Sequence, residues 1–167
     1  MILELNNKNC IEEYEKLCLI TLTVYFCFVA AAGCISAGQQ TGSKEKERTT
    51  MYITIQGDKR EITLADNASA AALAERLQQG NITYTADDYG GFEKVGSLGF
   101  SLPQNDVKMQ TQPGDVILYQ GNQIVLFYGS NSWSYTRIGK MEGLSQAELR
   151  SFFGAGQGEI QVTLSLD

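Results

Sequence analysis

The sequence predicts a mainly β domain, a barrel or a sandwich, over Met51–Asp167. Three observations carry this. Short runs of β-forming residues recur between turn residues, two short helical patterns interrupt them, and the first and last runs both alternate strictly enough to pair with each other and remove exposed edges. At roughly 117 residues the segment is long enough to bury one core.

Met51–Gln56 alternates apolar and polar, as does Glu61–Leu64, and Gly57-Asp58 between them supplies the turn of a hairpin. Asp66-Asn67 then offers an N-cap. Ala70, Leu73, Ala74 and Leu77 fall on one helical face, and Gly80 stops the helix. Ile82-Thr83-Tyr84 resumes strand character. Asp87–Gly99, rich in Gly and acid, reads as a loop with a short strand. Pro113-Gly114-Asp115 is a turn. Val116–Tyr119 and Gln123–Tyr128 form a second hairpin around Gly121-Asn122. Its second arm, Ile124–Tyr128, is apolar without a break, which predicts burial on both faces. Ser145-Gln146-Ala147-Glu148 has the spacing of a capping box and opens a short helix towards Phe153. Ile160, Val162, Leu164 and Leu166 alternate with polar residues, as in a half-exposed strand.

Composition excludes much chemistry. The chain has no histidine, and its four cysteines (Cys10, Cys18, Cys27 and Cys34) all precede residue 35. The domain therefore has no disulfide framework, no thiolate metal site and no Ser-His or Cys-His arrangement. From Met51 onward there are 8 Lys/Arg against 13 Asp/Glu. With no basic face, nucleic acid is not the expected partner. No motif requires a cofactor.

Residues 1–34 read as a signal segment. Leu17–Cys34 is apolar almost throughout and ends in Ala31-Ala32-Gly33-Cys34. That ending resembles a bacterial lipobox, with Cys34 the residue that is lipidated. The expected address is extracytoplasmic, on a lipid anchor in the membrane. The n-region departs from the pattern, because Glu4, Glu12, Glu13 and Glu15 outnumber Lys8 and Lys16. The alternative is a retained single membrane helix, since 18 residues span about 27 Å. Residues 35–50 are polar and charged and read as a flexible tether.

Several segments in order carry a family resemblance. They are Leu64–Ala70, Asp88-Tyr89 with Glu93-Lys94, Pro113–Tyr119, Ile124–Tyr128 and Ile138-Gly139-Lys140. Together they resemble the bacterial cyclophilin-like family over most of Met51–Gly143. The resemblance implies a closed cyclophilin-like eight-stranded antiparallel β-barrel with helices capping it. It also implies a lipoprotein setting and, as in some members, a flavodoxin-like partner. True cyclophilins isomerise prolyl bonds with an arginine in an aromatic pocket that also holds a histidine and a glutamine. Here histidine is absent, and Arg137 is the candidate arginine, with Trp133 and Tyr135 near it in sequence. The expectation is a noncatalytic domain that binds a peptide or small ligand. A divergent prolyl isomerase using Arg137 is the alternative, and an accessory to a redox partner the third reading.

Tyr119, Tyr128, Trp133 and Tyr135 are the candidate ligand-binding aromatics; ordinary barrel packing is the competing role. Trp133, expected in a Gly/Ser/Asn loop, stands out from that background. Glu93 and Arg137 are the candidate polar pair, either an internal ion pair or a ligand clamp. Asp87, Asp88 and Glu93 lack the spacing of a calcium loop and read as solvated acids. Ser69 and Ser145 are helix-terminus residues without a base. The glycines at 154, 156 and 158 read as a flexible connection, not a phosphate cradle.

Overall fold

The computed structural model describes residues 49–167. The lipobox-like ending at Cys34, the apolar run before it and nearly all of the tether lie outside the described residues. Among those described, no helix is long and apolar enough to cross a membrane.

Among the described residues nine strands and two helices follow one another. They are β1 (Thr50–Ile55), β2 (Asp58–Leu64), α1 (Ala68–Leu77), β3 (Ile82–Tyr89), β4 (Glu93–Ser97), β5 (Val107–Gln110), β6 (Asp115–Tyr119), β7 (Gln123–Phe127), β8 (Ser132–Lys140), α2 (Gln146–Phe152) and β9 (Ile160–Ser165). All pairings are antiparallel, in the order β2-β1-β9-β3-β4-β7-β6-β8, and β8 pairs back onto β2. Eight strands thus close a barrel, as the resemblance implied. The ninth, β5, lies outside the ring on the first half of β8. The first and last strands pair, with Tyr52 opposite Ser165.

Local chemistry explains the elements. The first hairpin turns at Gln56 and Gly57, both with positive φ (51° and 85°), a geometry that suits the twist of a tight hairpin. Asn67 caps α1 by accepting the amide of Ala70 at 2.9 Å. The helix buries Ala70, Leu73 and Leu77. The capping box at α2 is complete: Ser145 accepts from the Glu148 amide, and the Glu148 carboxylate accepts from the Ser145 amide.

Two apolar clusters result. The barrel interior is filled by residues such as Ile53, Leu73, Leu118, Leu126, Phe153 and Val162. A smaller cluster covers the outer face of β6, β7 and β8 with Ile117, Val125, Phe127 and Tyr135. This is why Ile124–Tyr128 is apolar without alternation: every residue of the run is at most 1% exposed. A bulge in β8 between the partners of Val116 and Ile117 keeps Ile138 in the interior while Arg137 stays outside.

Two expectations are corrected. The acidic stretch around Asp87-Asp88 is strand, continuing β3 to Tyr89, not loop. Trp133 lies in strand β8, not in a loop. The stretch preceding Trp133 does turn, but strand pairing with β5 begins at Ser132.

Candidate functional site

The outer face of β4 and β7 carries a concavity of about 340 Å³, towards the lower end of the roughly 300–1,000 Å³ usual for ligand pockets. Its floor follows from strand register. Glu93 lies between Tyr89 on β3 and Phe127 on β7, and Val95 lies opposite Val125. Residues two apart on a strand share a face, so Glu93 and Val95 point outward together while Lys94 points into the barrel.

Aromatic side chains make the walls. Tyr135 meets Tyr119 edge to face at 6.0 Å between ring centroids, and Phe127 at 5.8 Å. The Tyr135 hydroxyl accepts from Asn131 Nδ2 at 3.0 Å, which fixes the ring. Trp133 and Tyr89 form the rim and are largely exposed, at 59% and 66%. A large exposed aromatic pair beside a concavity is the pattern of a contact surface, not of a core.

Glu93 is the charged residue among those lining the concavity. It is 6% exposed, and its Oε2 has no hydrogen-bond partner. Burial without compensation pushes its carboxyl up to about 7. The Tyr135 phenol is raised as well, first by its own burial and then by the Glu93 charge. An unpartnered carboxylate is costly to bury, so its position at the base of an open aromatic pocket is what marks the site.

Four of the six residues expected from sequence, Glu93, Tyr119, Trp133 and Tyr135, line this one pocket. Tyr128 and Arg137 do not. Tyr128 lies in the interior cluster, and its hydroxyl donates to Asp88 at 2.8 Å. Burial, followed by that bond to a carboxylate, raises its phenol to about 12. Arg137 does not pair with Glu93. Its Nη1 donates to Asp115 Oδ1 at 2.5 Å, and Lys140 Nζ lies 3.6 Å from the same oxygen. Asp115 is fully buried, so the two cations offset a charge that the fold itself has desolvated.

Sequence reading missed Tyr89, Val95, Gln123 and Val125 as lining residues, whereas Asn131 falls in the 129–132 stretch expected at the rim. The signal for Tyr89 is Gly90-Gly91, whose positive φ values of 60° and 76° turn β3 into β4 and set Tyr89 opposite Glu93. It also missed what Asp88 does. The Asp88 carboxylate accepts from Lys94 Nζ, from Tyr128, and from the backbone amides of Gly156 and Gly158, at 2.8–3.1 Å. Lys94, with no exposed surface, also donates to the carbonyl of Gly158. Desolvation, the largest single influence, pushes the Asp88 carboxyl up. The bonds from Lys94, Tyr128 and Gly158 together outweigh it and hold the group below its ordinary range. Asp88 is therefore a structural hub, and the glycines at 156 and 158 are tied to it instead of forming a free connection.

A larger concavity, about 510 Å³, lies between Leu64–Asn67 and one face of α1 and is bordered by Thr49. Among the described residues the buried polar atoms without partners are Tyr84 Oη and Glu93 Oε2, and neither residue lines it. Size favours this concavity and chemistry favours the smaller one; chemistry is the better guide. Among the described residues no group of acids could hold a metal ion.

The comparisons bear on the fold. The chain is similar to a hypothetical protein of Archaeoglobus fulgidus known from a solution structure, with a TM-score of 0.53 at 15% identity, covering 72% of this chain and 95% of the other. At that identity the likeness is one of fold alone. No curated protein matches the sequence. The model of the cyclophilin-like family matches residues 53–165, a span that includes the strands closing the barrel and every wall of the pocket, and the chain belongs to that family.

Proposed function

We propose that Met51–Asp167 is a noncatalytic ligand-binding domain, held outside the cytoplasmic membrane by a lipid on Cys34, that takes a small molecule or a peptide side chain in the pocket under Trp133. The observation that carries the binding role is the pairing of a buried, unpartnered Glu93 carboxylate with an open aromatic cavity. Stability alone would favour a partner for that carboxylate or an apolar residue in its place. The sequence from Leu17 to Cys34 supports the address.

The isomerase alternative loses the residue on which it rested. Arg137 is engaged by Asp115 and does not line the pocket, so it is not positioned to donate to a prolyl amide there. A redox partner remains a proposal of the family resemblance. The domain has no thiol to exchange electrons.

Trp133 is the single tryptophan of the chain, so its fluorescence reports on the rim of the pocket. A metabolite and peptide screen on the full chain, read by that fluorescence and by melting temperature, tests the binding role. A true ligand shifts both, by mass action on the folded state. A ligand that raises melting temperature equally in Trp133→Ala and Tyr135→Ala variants binds elsewhere and sinks this assignment. Acyl labelling of the native protein tests the anchor: label on Cys34, with residues 1–33 removed, is the expected result.

A further inference from the structure

We propose that the group received by this pocket is an organic cation, a primary or alkylated ammonium, seated on Glu93 between the rings of Tyr119, Tyr135 and Trp133. The inference rests on the pocket being a binding site and names the chemistry of its occupant.

The argument begins with how the fold treats its desolvated carboxylates. Asp115 is fully buried and has Arg137 and Lys140. Asp88 has the buried Lys94 and two glycine amides. Glu93 is buried more deeply than Asp88 and nearly as deeply as Asp115, yet its Oε2 has no partner and no Lys or Arg lines the pocket with it. Two acids are matched from within the chain, and the third faces the cavity with the cation missing.

The walls suit the same occupant. Aromatic faces carry negative quadrupole potential and attract ammonium groups, more strongly where water is excluded. An anion would meet both that potential and the Glu93 charge without a basic group to offset them. The other polar side chains of the lining, Gln123 and Asn131, are neutral amides. A neutral ligand is the serious competitor, since Glu93 in its protonated form donates a hydrogen bond. The two occupants respond oppositely to pH. A cation prefers ionised Glu93; a neutral acceptor prefers the protonated acid.

The titratable groups facing Glu93 in the pocket are the phenols of Tyr89 on β3, Tyr119 on β6 and Tyr135 on β8, the last pushed up by its own burial and by the Glu93 charge. Glu93 then dominates pH dependence there. With its carboxyl near 7 in the free protein, the ionised fraction rises about tenfold between about pH 6 and about pH 8, and affinity for a permanent cation rises with it.

Calorimetric titration of the full chain with choline, with its uncharged isostere 3,3-dimethyl-1-butanol and with N-acetyl-lysine amide tests this. Choline stands for free small cations and the lysine amide for a peptide side chain. We expect at least one cation to bind about tenfold tighter near pH 8 than near pH 6. Glu93→Gln, which keeps the side-chain shape, should weaken it at least about tenfold and flatten the profile. Trp133→Ala, at an exposed position, should weaken it while leaving the melting temperature unchanged. Equal binding of the isostere, or undiminished cation binding by Glu93→Gln, overturns the inference and leaves the pocket as a neutral-ligand site. No binding of either cation, with other compounds in the screen still shifting Trp133, does the same. If no compound of any charge shifts Trp133 or the melting temperature, the binding role and the cation fail together.

Discussion

Two acids five residues apart in sequence, Asp88 and Glu93, show how environment divides one chemistry into two tasks. Asp88 is held charged by donors from three parts of the chain, whereas Glu93 is left short of them. Between its ordinary value of 4.5 and about 7, folded Glu93 keeps a proton that the unfolded chain has lost. Stability therefore falls as pH rises through that window. Glu93→Gln lacks this penalty, so urea titrations should show it gaining on the parent across the same window, by at most about 3 kcal/mol. Asp88 acts in the opposite sense: its depressed carboxyl adds stability that is present above the ordinary aspartate range and lost on further acidification. Asp88→Ala strands the buried Lys94 and should cost about 3–5 kcal/mol in equilibrium unfolding, and adding Lys94→Met should recover part of it. The same residues limited what the sequence could disclose. Tyr119, Trp133 and Tyr135 were legible because aromatics cluster around one hairpin and the strand after it, and Glu93, on β4, was legible only as an acid for Arg137. The pairing of Arg137 was not, since Asp115 and Glu93 were equally eligible acids until the bulge in β8 fixed where Arg137 points.

At the scale of elements, the β1–β2 and β6–β7 hairpins, both helices and the last strand were readable because their signals are local. Caps, turns and periodicity each lie within a few residues. The β3–β4 hairpin was hidden by the ion pair it contains. Tyr84, Ala86 and Asp88 occupy alternate positions of β3, and an aspartate stands where the pattern calls for an apolar residue. Lys94 does the same in β4. Their compensating partners include glycines about 70 residues away, beyond any local pattern. β5 was missed for the reverse reason: a four-residue strand has too little periodicity to announce itself. Within this hairpin Gly96 is fitted closely. A Cβ there would strike the Thr85 carbonyl and the Tyr84 ring. Gly96→Ala should therefore spread β3 from β4 and cost about 1–3 kcal/mol. A melting temperature equal to that of the parent would show the strands have slack that the packing does not suggest.

For the whole molecule, barrel closure depends on a narrow seam. β2 and β8 match at two positions, Thr63–Lys140 and Leu64–Gly139, with the Ala65 amide bonded to the Ile138 carbonyl beside them. A Cβ at Gly139 would meet the Thr63 carbonyl and Ile62. Gly139→Ala should lower the melting temperature and speed hydrogen exchange at Ala65 before it affects amides in β6 and β7. The seam between β1 and β9 has a different consequence. Because β1 and β9 are antiparallel neighbours, the first strand begins beside the place where the last one finishes. Joining Asp167 to Thr50 through a few flexible residues and reopening the chain at Gln56-Gly57 should give a circular permutant with the same barrel and the same pocket. Fusion designs gain from this geometry too, since a cargo appended after Asp167 would emerge beside the start of β1 and of β3, at the far end of β3 from Tyr89.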